Sequence, residues 1–463
     1  MSSSEAAKEL LHRRMARSGL HDFISYIKQD YIKSTFSTEL CQELDEFYLK
    51  SINGERPVLI VEAPPQHGKS EIVSRMLPPY LFGLNPNLVV GGLSYGKDLA
   101  SDMNRDIQRV MLSNEYKNLY PESSLNKKRV VTVEVEAKRN SDMFEIVGKK
   151  GKYISQGVGG PLTGKRLDIG IIDDPIKNSK EALSKTVKDS IWNWYCTVFL
   201  TRLSKDSGQI IMATRWATDD LSGMILDSNP KAKRLSFPAI NDEGLALVPE
   251  LHPIEKLMDV KTTVSSHFWS AMYQQSPTVL GGGIFKTEWW QYYTGNVNFE
   301  YRMMFADTAQ KTGQENDFSV FQCWGKKDGN IYLIDQLRGK WEAPQLLQVA
   351  ISFWNKHKAS NNGSLRRLMI EDKSSGTGLI QQMKQMGMQV GAIKRNTDKV
   401  TRAYDTSPPV ESRRVFLPSD ASYLSDYLIE FQQFPTGKND DQVDPTMDAI
   451  QNMLIETSGF IFA

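Results

Sequence analysis

Residues 58–77 read VLIVEAPPQHGKSEIVSRML. An apolar run breaks at Ala63-Pro64-Pro65, and Gly68-Lys69-Ser70 then opens an amphipathic stretch. Strand, tight turn and helix start in that order make a phosphate cradle: loop N–H groups and the helix N-terminus point at the anion. In such a cradle Lys69 would reach the β- and γ-phosphates of a nucleotide, and the Ser70 hydroxyl would coordinate Mg²⁺. The motif's usual first glycine is Ala63 here, which is tolerable where that residue keeps a negative φ. Pro64 and Pro65 donate no N–H, so the cradle falls to Gln66, His67, Gly68, Lys69 and Ser70. The His67 ring reads as loop packing rather than as a catalyst.

Further along, LDIGIIDD (167–174) is an apolar strand ending in Asp173-Asp174. A strand beside a phosphate loop needs an acid at its C-terminal end to hold Mg²⁺ and a neighbour to orient the attacking water. Asp173 fits the metal role and Asp174 the base. Consecutive acids also close ordinary strands; the upstream Gly-Lys-Ser gives this pair its meaning. A third strand, QIIMATRW, ends in Thr214-Arg215-Trp216. That end reads either as a nucleotide-state sensor or as a turn that packs Trp216 into a core.

Around these motifs the chain is organised simply. Residues 1–56 carry helical spacing, with Leu10, Leu11, Phe23, Ile24, Ile27, Leu40, Leu44, Phe47 and Tyr48. Short apolar runs then alternate with helix-length polar stretches over 57–230, the pattern of a parallel α/β sheet. Residues 231–284, broken by prolines and by Gly281-Gly282-Gly283, read as a linker. A second α/β region, 285–463, begins with RMMFADTA (302–309), SVFQCWG (319–325) and NIYLIDQL (330–337), spaced as an antiparallel meander. A helix near 343–358, a strand at 366–372, a helix near 376–387 and an acidic helix from about 440 to 456 follow.

The second region places acids at separate stations: Asp307, Glu371-Asp372, then Asp440-Asp441 and Asp444. With no His or Cys cluster, they suit oxygen-ligated Mg²⁺ or Mn²⁺ rather than zinc. A pair of such ions can activate water and stabilise a leaving 3′-oxygen in phosphodiester cleavage. Asp440 and Asp441 also read as helix caps, and Asp317 as a supporting acid or a turn residue.

Composition narrows the class. The chain has 463 residues, 40% hydrophobic and 24% charged, which excludes general disorder and collagen-like structure. That length predicts two large domains or three smaller ones. No apolar run is long enough for a membrane span, and MSSSEAAKELLHRR lacks a secretory core. Cys41, Cys196 and Cys323 match no zinc spacing and read as reduced thiols. A formal charge of +1 argues against a permanent basic nucleic-acid coat but allows local, transient grip.

APPQHGKS, SYGKDLASDMNRDIQ, GVGGPLTGKRLDIGIIDDP, ATRW, FWSAMYQQSP, MMFADTAQ, IEDKSSGTGLIQQM, DKVTRA and NDDQVDPTMDAI occur in this order from about 57 to 455. The ordered set resembles the large terminase subunit of tailed double-stranded DNA bacteriophages. That resemblance implies an α/β chain: an N-terminal P-loop ATPase domain of ASCE type and a C-terminal ribonuclease H-like nuclease domain. Lys69, Ser70 and Asp173 would hold ATP and Mg²⁺. Asp174 stands where the family usually has glutamate. Asp307, Glu371 and Asp441 would ligate Mg²⁺ or Mn²⁺ in the nuclease, with Asp440 and Asp444 as alternates. The family often places an arginine inside the phosphate loop; Gln66 and His67 stand there, so Arg139 and Arg166 become candidates for an arginine finger.

The implied function is a DNA-packaging motor that drives duplex DNA into a procapsid and cuts concatemers. Its partners would be double-stranded DNA, the portal protein, a small terminase subunit and further copies in a homo-oligomeric ring, a pentamer. The expected place is the host cytoplasm, docked transiently on the portal vertex, with no membrane. A helicase or restriction-type translocase, and a non-enzymatic vertex adaptor with a degenerate P-loop, are the competing readings. Lys149-Lys150-Lys152, Arg366-Arg367, Lys394-Arg395 and Arg413-Arg414 are candidate DNA contacts or plain solvated surface.

Overall fold

The computed structural model describes residues 3–127, 137–162, 164–277, 283–308, 318–373, 375–395, 397–437 and 439–456. Asp317, Ala309 and Gly281-Gly282 lie outside them. The chain forms two compact units, Met1–Lys261 with His267–Val279, and Thr262–Ser266 with Leu280–Ala463.

The first unit is built on seven strands: β1 (Val58–Glu62), β2 (Val89–Ser94), β3 (Met143–Glu145), β4 (Lys152–Gly157), β5 (Leu167–Asp173), β6 (Leu203–Ala213) and β7 (Lys233–Ser236), ordered β3-β4-β2-β5-β6-β1-β7. All neighbours are parallel except β3 with β4. Because β1 is buried on both faces, its residues divide by parity: Leu59 and Val61 join one core, Val58 and Ile60 the other. The first core also takes Phe23, Leu40, Leu44 and Phe47 from helices Leu20–Ile27 and Thr35–Ile52. The N-terminal helices are therefore built into this unit rather than appended to it.

The segment read as a linker contributes β7, which pairs in parallel with β1 (Leu59↔Lys233, Val61↔Leu235). Lys-Arg-Leu-Ser between Pro230 and Pro238 carries no strand pattern of its own; the free edge of β1 supplies it.

The second unit has β8 (Gln291–Tyr293), β9 (Tyr301–Asp307), β10 (Ser319–Lys327), β11 (Asn330–Gly339), β12 (Ser364–Glu371), β13 (Val390–Ile393) and β14 (Val415–Pro418), ordered β13-β12-β9-β10-β11-β14-β8. β9, β10 and β11 form the expected antiparallel meander. β12 then returns parallel to β9, with Ala306 opposite Ile370, which sets the ends Asp307 and Glu371 side by side. The last helix begins at Val443, not near 440, so Asp440 and Asp441 precede it while Asp444 and Asp448 sit one turn apart within it.

Candidate active sites

The turn after β1 carries its strain where the cradle needs it. Gln66 (φ 61) and Gly68 (φ 91) are both left-handed, and open space surrounds the position of a Cβ at Gly68. A side chain at Gly68 would thus be opposed by backbone conformation, not by a neighbour. Ala63 keeps a negative φ. The helix starts at Lys69 and winds as a wide π turn over Glu71–Met76 before Pro78 and Pro79. His67 turns inward, stacked on His252 with centroids 4.2 Å apart, its Nδ1 donating to Pro65 O at 2.8 Å. Burial, with His252, Lys69 and Lys256 nearby, lowers its pKa to about 4. Only the His67 backbone is left to face a phosphate.

β6 lies between β1 and β5, so three strand ends converge on Lys69 and Ser70. Lys69 Nζ donates to Thr214 Oγ1 at 2.6 Å and lies 3.3 Å from Asp174 Oδ2. Ser70 and Ser74 hydroxyls donate to the two oxygens of Asp173 at 3.2 and 2.6 Å. Asp173 is 1% exposed. Burial, reinforced by Asp174, raises its pKa to about 7 against the hydroxyls and Lys69. A buried carboxylate resisting ionisation is a group that gains from a bound cation. Asp174 has φ 43 and accepts from Thr214 N at 2.7 Å.

The two readings of Thr214-Arg215-Trp216 separate by residue. Thr214 faces the cradle. Arg215 is buried against Glu62 (2.6 Å) and Asp220 (2.9 Å), and Trp216 packs edge-on against Phe268. Neither finger candidate reaches this site from within the chain. Arg166 precedes β5, at the end opposite Asp173, and Arg139 is tied to Gln108 and Asn126 O.

In the second unit, Asp307, Glu371, Asp444 and Asp448 gather around Arg395. Its Nη1 lies 2.7 Å from Glu371 and 3.4 Å from Asp307 and Asp444, and its Nη2 lies 2.7 Å from Asp448. Lys399 pairs with Asp440 and Asp444 at 2.7 and 2.8 Å, and Arg402 with Asp444 and Asp448. Burial pushes Asp307 up to about 7, with Arg395 opposing and Asp444 and Glu371 adding to it. Asp444 is also pushed up by burial, but Arg395, Lys399 and Arg402 prevail and hold it low.

Asp441 is not among them. It accepts from Phe318 N at 3.1 Å and from Arg338 at 2.9 Å, because the helix begins past it and turns it toward β11. Arg395 likewise leaves the set of candidate DNA contacts, being buried in the acid cluster. The donor chemistry suits a hard divalent ion, and Glu371 is held from both sides, by Lys373 at 2.9 Å and by Arg395 at 2.7 Å. As the side chains stand, though, no three acidic, His or Cys groups among the described residues close on one point; the guanidinium lies between them.

The family models match both units: "Terminase large subunit, T4likevirus-type, N-terminal" over residues 60–291 and "Terminase RNaseH-like domain" over 304–453. The chain belongs to the large terminase subunit family. Large terminase subunits are the ATPases and nucleases that package phage DNA, and this chain is such a packaging-motor subunit, with an ATPase domain and a ribonuclease H-like nuclease domain. A helicase or an inert vertex adaptor is not favoured. Similar solved structures include the large terminase of a thermophilic bacteriophage in complex with ADP (13% identity, 88% of this chain and 99% of that one, TM-score 0.45). Bacteriophage HK97 large terminase has 10% identity, 95% and 99% coverage and a TM-score of 0.39. The terminase nuclease of thermophilic phage G20c with magnesium has 12% identity, 38% and 98% coverage and a TM-score of 0.29. No curated protein matches the chain.

Sequence reasoning missed Ser74, Asp448, Lys399 and Arg402. Asp444 and Asp448 had a signal in their one-turn spacing on a short helix. Ser74 had the same signal, lying one turn beyond Ser70 so that both hydroxyls reach Asp173.

Proposed function

We propose that Gln66–Ser70 bind the phosphates of ATP, that Ser70 and Asp173 hold the accompanying Mg²⁺, and that Asp174 orients the attacking water. The observation that carries this is Lys69 held between Thr214 and Asp174 while two hydroxyls converge on a buried Asp173. Bound Mg²⁺ would neutralise phosphate charge; Lys69 adds a cation beside it, and Asp174, fixed by Thr214 N, accepts the water's proton. In the nuclease unit, Asp307, Glu371 and Asp444 replace the set Asp307, Glu371 and Asp441 as candidate ligands of a divalent ion, Mg²⁺ or Mn²⁺. Their convergence on Arg395 supports this reading. Double-stranded DNA, a portal protein, a small terminase subunit and a pentameric ring on the procapsid are the partners that the family suggests. The host cytoplasm and portal vertex are the corresponding place; among the described residues no helix is long and apolar enough to cross a membrane.

The test uses the full chain in paired assays. Lys69→Ala should abolish ATP turnover and spare metal-dependent plasmid cleavage. Asp444→Asn should do the reverse. Loss of both activities in either variant would refute the assignment of separate sites.

A further inference from the structure

The segment after β7, which the sequence reads as a linker, supplies a ring to the phosphate loop. Val248 O accepts from Leu251 N and His252 N at 3.1 and 2.9 Å, and the helix Ile254–Thr263 starts directly after Pro253. His252 is thereby fixed between a turn and a helix start, and it is buried. Its Nε2 lies 3.1 Å from Gln66 O. A carbonyl oxygen only accepts, so the proton sits on Nε2 of His252, as it sits on Nδ1 of His67 toward Pro65 O.

Two consecutive loop carbonyls, Pro65 O and Gln66 O, are thus each held by an imidazole, and the two rings stack 17° from parallel. The peptides that carry them are trans. In a planar trans peptide the N–H points opposite to the C=O. Holding both carbonyls on the imidazole side therefore turns the N–H groups of Gln66 and His67 to the other side. These are the first N–H groups after Pro64 and Pro65, which have none. Gln66 takes a φ of 61 here, a conformation that a residue other than glycine keeps only where its surroundings hold it.

We propose that His252 is a positioning residue of the ATPase site: its hydrogen bond to Gln66 O aims the His67 N–H at the nucleotide phosphates. The proposal rests on the phosphate reading of Gln66–Ser70 given above. His252 acts through the Gln66–His67 peptide and not on the nucleotide itself. Stacking on His67 alone would be packing, which any flat ring supplies. The N–H donor is what a plain aromatic ring lacks, and there the two roles separate.

Two variants of the full chain test this by Mg²⁺–ADP titration and steady-state ATP turnover. His252→Phe keeps a flat ring against His67 and removes the donor. His252→Gln gives up the ring and keeps an N–H donor at similar reach. In His252→Phe the Kd for ADP and the KM for ATP should each rise about tenfold, the worth of one hydrogen bond at a charged ligand. The kcat should change far less, because the cradle holds ground state and transition state alike. His252→Gln should recover most of that loss. Wild-type nucleotide binding in His252→Phe overturns the proposal and leaves the stack as packing. Binding as weak in His252→Gln as in His252→Phe also overturns it, since the ring rather than its N–H would then be required. Should His252→Phe not fold, His252→Gln decides alone. Lys69→Ala is the control: if it binds ADP as tightly as wild type, the phosphate reading itself falls and takes this proposal with it.

Discussion

Asp173 and Asp174 are adjacent acids with opposite environments. Asp173 is sealed beneath two serine hydroxyls; Asp174 is partly open and bent into a left-handed conformation. Asparagine tolerates that conformation, so Asp174→Asn removes the charge without backbone strain. It should keep nucleotide affinity and lose about 10²-fold or more in ATP turnover. Asp173→Asn should instead weaken Mg²⁺-nucleotide binding. Steady-state turnover beside nucleotide titration separates the two, and near-normal turnover in Asp174→Asn would move the base elsewhere. His67 offers a pH prediction. Its folded pKa, about 4, lies below the ordinary value of 6.5, so the unfolded chain binds the proton first. The His67 contribution to stability is therefore complete above pH 6.5 and is lost as pH falls toward 4, by at most about 1.4 kcal/mol per pH unit. His67→Phe keeps a flat ring against His252 without the proton. Its melting temperature should fall less between pH 7 and pH 5 than that of wild type; parallel curves would count against the argument.

At the scale of elements, the sequence was informative wherever pattern and structure shared a cause. Apolar runs ending in acids became β5, β9 and β12, but alternation gives only a parallel sheet; the order that sets β6 between β1 and β5 comes from the structure. The last helix was read too early. Asp440 and Asp441 look like caps, but Gln442 N donates to Glu430 Oε1, and buried side chains of Gln322, Gln336 and Gln442 hydrogen-bond one another ahead of the helix. That polar cluster is assembled from β10, β11 and the helix Leu424–Gln433, so no local window contains it. It moves the helix start to Val443, turns Asp441 toward Arg338 and leaves Asp444 beside Arg395, which is why Asp444 is the proposed ligand. β7 was invisible for the same reason. The choice of Asp444 over Asp441 makes a sharp prediction. Asp444→Asn should remove cleavage, whereas Asp441→Asn should keep it and lose on the order of 1–3 kcal/mol through Arg338 and Phe318 N. Plasmid nicking with a denaturant melt decides; the opposite pattern would restore Asp441.

For the whole molecule, each compact unit closes its own core and carries its own buried acids. Asp173 in one and Asp307 in the other are both held near pKa 7 by burial and by neighbouring acids, against opposing donors and cations. Both units therefore carry carboxylates that resist ionisation until a cation arrives. A ligand that binds only the folded form stabilises it by mass action, about 2.7 kcal/mol at a hundredfold excess over Kd. Each ligand should act on the unit that binds it. Mg²⁺ without nucleotide should raise the calorimetric component belonging to the nuclease unit, and Asp307→Asn should cancel that rise. ADP added with Mg²⁺ should raise the other component, an effect that Lys69→Ala should cancel while leaving the first intact. Each variant serves as the other's control, because its lesion lies in the other core. A single transition that moves with either ligand, and that either variant desensitises to both, would mean that the units unfold as one body and that their sites are not thermodynamically independent.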